Sequence, residues 1–219
     1  VMAWCWCNAT ESKPQNVNCN AMTTEQTKNI IRLLTDKGVH FDSGLTDDEV
    51  LQVETKFNLQ FPPDLKLFLQ TSLPTSDSFV NWRLGLKLKS EADKIFSRLD
   101  WPLEGMLFDL QSNNFWIDSW GNRPDNYNDK VLIAKRHYKT YPKLIPICSH
   151  RYIPSRPNEN DNPIFSVYQM DIIYYGINLE NYFANEFGYT KSGGYELDEY
   201  PEKKIEFWSK IAEDEDIYN

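Results

Sequence analysis

Residues 45–72 read LTDDEVLQVETKFNLQFPPDLKLFLQTS, and they carry the clearest fold signal in the chain. Thr46 is placed to cap the amides of a first helical turn, while Glu49, three residues on, reaches back to the Thr46 amide. Leu45 and Val50 stand at the hydrophobic-staple positions. Val50, Val53 and Phe57 continue one apolar face at helical spacing, and Asp47 and Asp48 sit where the helix dipole favours negative charge. Pro62 and Pro63 then end that helix and open another, whose Leu65, Phe68 and Leu69 form a buried stripe.

Upstream, Ile30, Ile31, Leu33 and Leu34 lie between polar residues, and Gly38 follows as a left-handed terminator, so a helix is expected over residues 23–37. Downstream the pattern changes. MLFDL (106–110), FWI (115–117), VLIA (131–134), LIPI (144–147) and RYI (151–153) read as short apolar or alternating runs, followed by PIFSVYQ (163–169) and DIIYYG (171–176). Connections rich in Asn, Asp, Gly and Pro separate them, so a strand-rich middle is expected, antiparallel because the links are too short for helical crossovers. Leu179, Tyr182, Phe183 and Phe187 predict a further helix capped by Asn178 and ended by Gly188, and Ile205, Trp208 and Ile211 predict a last one over residues 202–212. Helices, then strands, then helices make an α+β fold, an antiparallel sheet flanked by N-terminal and C-terminal helices. The acidic EDED run at 213–216 reads as a solvated tail.

The chain has 219 residues, 23 basic against 32 acidic, for a formal charge of −9. That balance disfavours direct nucleic-acid binding, which needs cations to displace phosphate counterions, and favours a basic partner. No apolar stretch reaches the roughly 18 residues of a membrane span. Three of the four cysteines, Cys5, Cys7 and Cys19, fall in residues 1–21, which lack either periodicity and read as an appended or disordered leader; residues 22–219 then form one domain. The remaining Cys148, in the apolar run LIPIC, reads as a small buried hydrophobe in a reducing, cytoplasmic setting, so disulfides and cysteine metal sites drop out.

The phosphate loop, the dinucleotide glycine fingerprint, the nucleophile elbow and the zinc-protease helix are absent. His40, His137 and His150 match no ligand spacing. A metal-free pair such as His150 with Asp171 is the one acid–base arrangement worth naming, and it would make the chain a hydrolase or nuclease. In NNFWIDSWGNRPDN (113–126), a strand would put Trp116, Asp118 and Trp120 on one face, two indoles around a carboxylate with Arg123 beyond, as suits a partner bearing Arg or Lys. The alternative is an ordinary Trp-rich core. The loop SHRYIPSRPNENDNP (149–163) offers Arg151, Tyr152, Arg156 and Glu159.

Residues 45–72, together with IPICSHRYIPSRPNENDNPIFSVYQMDIIYYGINLENYF (145–183), resemble the Smi/Knr-type proteins of the SUKH superfamily, over about residues 44–187. One departure is Ser72-Leu73-Pro74, where many members carry Asn-Gly. The resemblance implies a helix-flanked antiparallel sheet and, for bacterial members, a non-catalytic immunity protein without cofactor that binds and neutralises a toxin, often a basic nuclease, by stoichiometric occlusion. Eukaryotic members imply instead a protein-interaction hub controlling cell-wall synthesis or signalling. The expected contact residues come from chemistry rather than from the family: Trp116, Asp118, Trp120, Arg123, Arg151, Tyr152 and, as second choice, Asp171.

Overall fold

A computed structural model describes residues 22–188 and 201–213. The elements run α1 (Thr24–Asp36), β1 (Phe41–Ser43), α2 (Asp47–Phe57), α3 (Pro63–Thr71), β2 (Ser72–Pro74), α4 (Trp82–Lys87) and α5 (Lys89–Ser112). After a single 3₁₀ turn at Asp118–Trp120 come α6 (Tyr127–Tyr138), β3 (Leu144–Cys148), β4 (Arg151–Pro154), β5 (Ile164–Tyr168), β6 (Asp171–Gly176), α7 (Leu179–Phe187) and α8 (Trp208–Glu213). The fold is α+β, with β3-β4-β5-β6 as an antiparallel sheet and β1-β2 as a small antiparallel pair. The expected leader and most of the acidic tail lie outside the described residues, and the expected last helix is shortened to α8.

Local chemistry accounts for the first helices. Thr23 with Gln26, and Thr46 with Glu49, each close a reciprocal capping box. Gly38, at φ +87°, lets the chain leave α1 in the left-handed region. Arg83 on α4 then ties the start of α2 to its surroundings. Its Nε donates to Glu49 at 2.6 Å, and its Nη atoms donate to the Ser43 and Gly44 carbonyls. That pairing holds the Glu49 carboxyl down at about 2, the Arg83 hydrogen bond outweighing the opposing effect of burial.

The sheet separates two hydrophobic cores. On one side Ile145, Ile153 and Ile164 pack with α1–α3 and with Leu179, Tyr182 and Phe183 of α7. On the other, Tyr152, Phe165, Val167, Ile172 and Tyr174 pack with Met106 and Leu110 of α5, Ala134 of α6 and Trp208 of α8. Strand alternation supplies both sets, since successive side chains point to opposite faces.

The second core corrects the sequence expectation. MLFDL belongs to α5 and VLIA to α6, while FWI is irregular backbone leading into the 3₁₀ turn. Read over a longer window, Ala92, Ile95, Leu99, Pro102, Met106 and Leu110 are buried at spacings of three and four, the helical period that a five-residue window hides. Pro102 sits inside α5 and has no N–H to donate to the Arg98 carbonyl four residues back. The Tyr152 hydroxyl, reaching from β4, donates to that carbonyl at 2.9 Å instead.

The loop between β4 and β5 is also pinned to the body. Asn162 is fully buried and donates to the Pro154 and Pro157 carbonyls, Asn158 donates to the Phe61 carbonyl, and Arg156 to the Thr140 carbonyl. The Asp161 amide donates to the Asp64 carboxyl at the start of α3. Asp64 is 2 % exposed, and burial pushes its pKa up to about 6. This segment works as a brace between the elbow at Pro62-Pro63 and the sheet.

Candidate functional site

Strand register brings two of the expected contact residues onto one surface. Arg151 pairs with Ser166, and Ser166 with Ile173; Tyr168 pairs with Asp171. With side chains alternating, Arg151, Ser166, Tyr168, Asp171, Ile173 and Tyr175 share the face that looks toward the first core. Higher on that face α7 covers the sheet. Past the end of α7 the face opens: Tyr168 is 61 % exposed, Ile173 is 42 % exposed, and Asp171 is exposed beside them.

Arg151 is the anchor of this open end although its own side chain is buried. Its guanidinium carbon lies 3.5 Å from the centre of the Tyr175 ring, Nη1 donates to Ser166 Oγ at 2.9 Å, and Nη2 is 3.6 Å from Glu186 of α7. A ring face, a hydroxyl and a carboxylate together offset the desolvation of the cation. Its Nε has no hydrogen-bond partner among the described residues. Tyr175 is pushed up to about 12, by burial first and by its hydrogen bond with Glu186 second. The phenol therefore stays neutral, and the Arg-Tyr-Glu brace carries one cation against one anion.

His150 borders the same end of the sheet, at the turn between β3 and β4. Its Nδ1 is 3.1 Å from Ser149 Oγ. Burial, then the Arg151 charge, lowers its pKa, which keeps the imidazole neutral at pH 7; the carboxylate acting on it is Glu186. Beyond this turn, a cleft of about 500 Å³ is lined by residues 75–81 and by α4 and α5. The cations on its wall are already engaged: Lys94 pairs with Glu91, and Arg98 donates to the Ser78 and Ser149 carbonyls. No group of three or more metal-ligating side chains occurs among the described residues.

The other expected contact residues lie elsewhere. Trp116, Asp118, Trp120 and Arg123 occupy the α5–α6 connection, which belongs to the second core on the opposite face of the sheet. No strand forms there, so the expected pair of exposed indoles around a carboxylate is replaced by a packed cluster. Trp120 is 7 % exposed, stacks on His137 and donates to the Tyr141 hydroxyl; Trp116 is half-buried against it, edge to face at 5.2 Å, and donates to the Gly121 carbonyl. Asp118 and Arg123 remain exposed, with Arg123 donating to Asn114. Tyr152, at 2 % exposure, points into the second core and offers no contact surface.

Sequence reasoning missed Tyr168, Ile173, Tyr175 and Glu186. The first three were detectable, because Ser166/Tyr168 and Asp171/Ile173/Tyr175 are the outward positions of two strands whose other face is wholly apolar. Glu186 was not, since only the packing of α7 on the sheet brings it to Arg151. Compared with known proteins, the chain matches no family model, and no curated protein or solved structure resembles it significantly. No helix among the described residues is long and apolar enough to cross a membrane.

Proposed function

We propose that the chain is a non-catalytic immunity protein of the SUKH type, which binds a basic toxin domain in the cytoplasm and occludes its active cleft one to one. The observation that carries this reading is the open end of the sheet. Ile173, Tyr168 and Asp171 stand exposed on a sheet end that the Arg151–Tyr175–Glu186 brace ties to α7 on the same face. Exposed apolar and aromatic side chains on preorganised backbone lose little entropy on binding, which is the pattern of an interaction surface. The charge of −9 adds long-range attraction to a basic partner and raises its association rate. Occlusion requires no proton transfer from this chain.

The test is affinity capture with the full chain, followed by assay of whatever elutes. A single partner with a domain that is toxic alone and harmless in a one-to-one complex is the expected result, with Asp171→Arg and Ile173→Asp both weakening the complex. Several unrelated partners, or a turnover activity that depends on His150, would overturn the proposal.

A further inference from the structure

A second exposed surface adjoins this end of the sheet from the opposite side of the β5–β6 turn. On α5, Trp101, Glu104 and Phe108 follow one another at i, i+3 and i+7 and so share a stripe. Trp101 is 42 % and Phe108 49 % exposed. The stripe runs against the turn because the helix touches it directly. A Cβ on Gly105 would come within 2.6 Å of the Gln169 backbone, and the Met170 amide donates to the Asp109 carboxylate at 2.8 Å. Trp101 Nε1 donates to the Val167 carbonyl, which fixes the indole edge and leaves its ring available. Tyr127, at the start of α6, borders the stripe through a hydrogen bond to the Leu107 carbonyl.

We propose that this stripe of Trp101, Glu104 and Phe108 is a docking surface for a basic protein segment whose arginine side chains lie on the two rings and bond the Glu104 carboxylate between them. Contiguous exposed aromatics mark interaction sites in a way that scattered ones do not. Charge complementarity selects the occupant. Glu104 is exposed and has no ion-pair partner among the described residues, whereas Arg98, the nearest cation on α5, is engaged by two carbonyls. A wholly apolar partner would desolvate that carboxylate without compensation. A guanidinium satisfies both features at once, stacking on an indole and bonding a carboxylate. The inference rests on the binding reading above only in taking the occupant to be a protein; the stripe is separate from the Arg151 brace and from Tyr168 and Asp171, which point to the other face of the sheet.

The probe is a synthetic amphipathic peptide of arginine and leucine, compared with versions carrying lysine or glutamate in place of arginine, titrated into the full chain. The readout is the indole N–H resonance of Trp101, assigned with Trp101→Phe, together with calorimetric affinity. The arginine peptide should bind more tightly than the lysine one, shift the Trp101 resonance and weaken as salt is raised from about 50 to about 300 mM. Glu104→Lys and Phe108→Ser, both at exposed positions, should each weaken binding about tenfold with unchanged thermal unfolding. Shifts that avoid Trp101, equal binding of the glutamate peptide, or wild-type affinity in both variants would overturn the proposal. Conversion of a dimer to a monomer by Phe108→Ser would also overturn it, by identifying a second copy as the occupant. A captured toxin that Glu104→Lys still binds but Asp171→Arg does not would refute this surface and leave neutralisation standing; peptide binding at Trp101 without any toxin would do the reverse.

Discussion

The helical layers on the two faces of the sheet are built differently. The layer formed by α1–α4 and α7 has local start signals: reciprocal capping boxes on α1 and α2, a Pro-Pro elbow before α3, and Asn side chains capping α4 and α7. On the opposite face α5 is the longest helix among the described residues, yet it begins after Leu88 with no side-chain cap and carries Pro102 in its interior. Its free carbonyl is satisfied by Tyr152 from the sheet, and its burial comes from both cores, Ala92, Ile95 and Leu99 lying in the first and Met106 and Leu110 in the second. The first layer is specified residue by residue; on the second face α6 still carries a side-chain cap from Asn126, whereas α5 is specified by what it packs on.

The strongest test of that contrast is whether the layers unfold together. Phe68 in the first core and Phe115 in the second are both fully buried, and truncation of either to Ala should cost about 3–5 kcal/mol. Because the four-stranded sheet lends one face to each core, both variants should still unfold in a single transition by near- and far-ultraviolet circular dichroism. Two separated transitions in Phe115→Ala would show that the second layer is a satellite rather than part of one cooperative unit.

Asp64 gives the next largest effect, and it belongs to the first layer. Its folded pKa, about 6 against an ordinary 3.8, means that the folded state holds the proton more tightly than the unfolded chain does. Stability from this group is therefore present at low pH and is lost as pH rises through 6, by about 3 kcal/mol in all. Asp64→Asn should flatten that part of the profile while keeping an acceptor for the Leu65 amide, as denaturant midpoints between pH 4 and 7 would reveal.

Arg83→Ala acts in the opposite pH range. With Glu49 held at about 2, its pairing contributes stability that is present above the ordinary 4.5 and lost as pH falls toward 2. The pair is partly solvated, so a loss on the order of 2 kcal/mol at pH 7 is expected, together with disappearance of the acid limb below pH 4.5. Tyr152→Phe probes the second layer by a smaller change. It leaves the ring in place but removes the donor to the Arg98 carbonyl, and should cost about 1–2 kcal/mol with no effect on partner binding. A large binding defect in this variant would return Tyr152 to the interaction surface.

This contrast also explains what was legible in sequence. The helices at residues 24–36, 47–57 and 63–71, the four main strands and α7 were readable because caps, prolines and strict alternation act within a few residues. The segments at 106–110 and 131–134 were misread because an apolar run of four or five residues is equally consistent with a strand and with the buried part of a helix. At the candidate site, Arg151 and Asp171 were expected as loop and turn residues, and the structure places them at the starts of β4 and β6. The Trp116–Trp120 pair was misplaced because its geometry depended on a strand that never forms, and Glu186 required the three-dimensional packing of α7.

If α5 is weakly signalled because it lacks a cap, supplying one should strengthen it. Leu88 has φ −119° and ψ 129°, the extended geometry an N-cap residue adopts, and its side chain is 49 % exposed, so Leu88→Ser introduces an acceptor for the first-turn amides without emptying a core position. A gain of about 0.5–1 kcal/mol in chemical denaturation is expected, mirrored by a loss of about 1 kcal/mol in Thr46→Ala, where the cap already exists. Serine is preferable to aspartate because Leu88 also closes α4, whose C-terminal dipole end disfavours an added negative charge. Should Leu88→Ser leave stability unchanged while Thr46→Ala costs the full amount, the start of α5 is already saturated by tertiary contacts, and the difference between the layers lies in how each helix begins rather than in how firmly it is held.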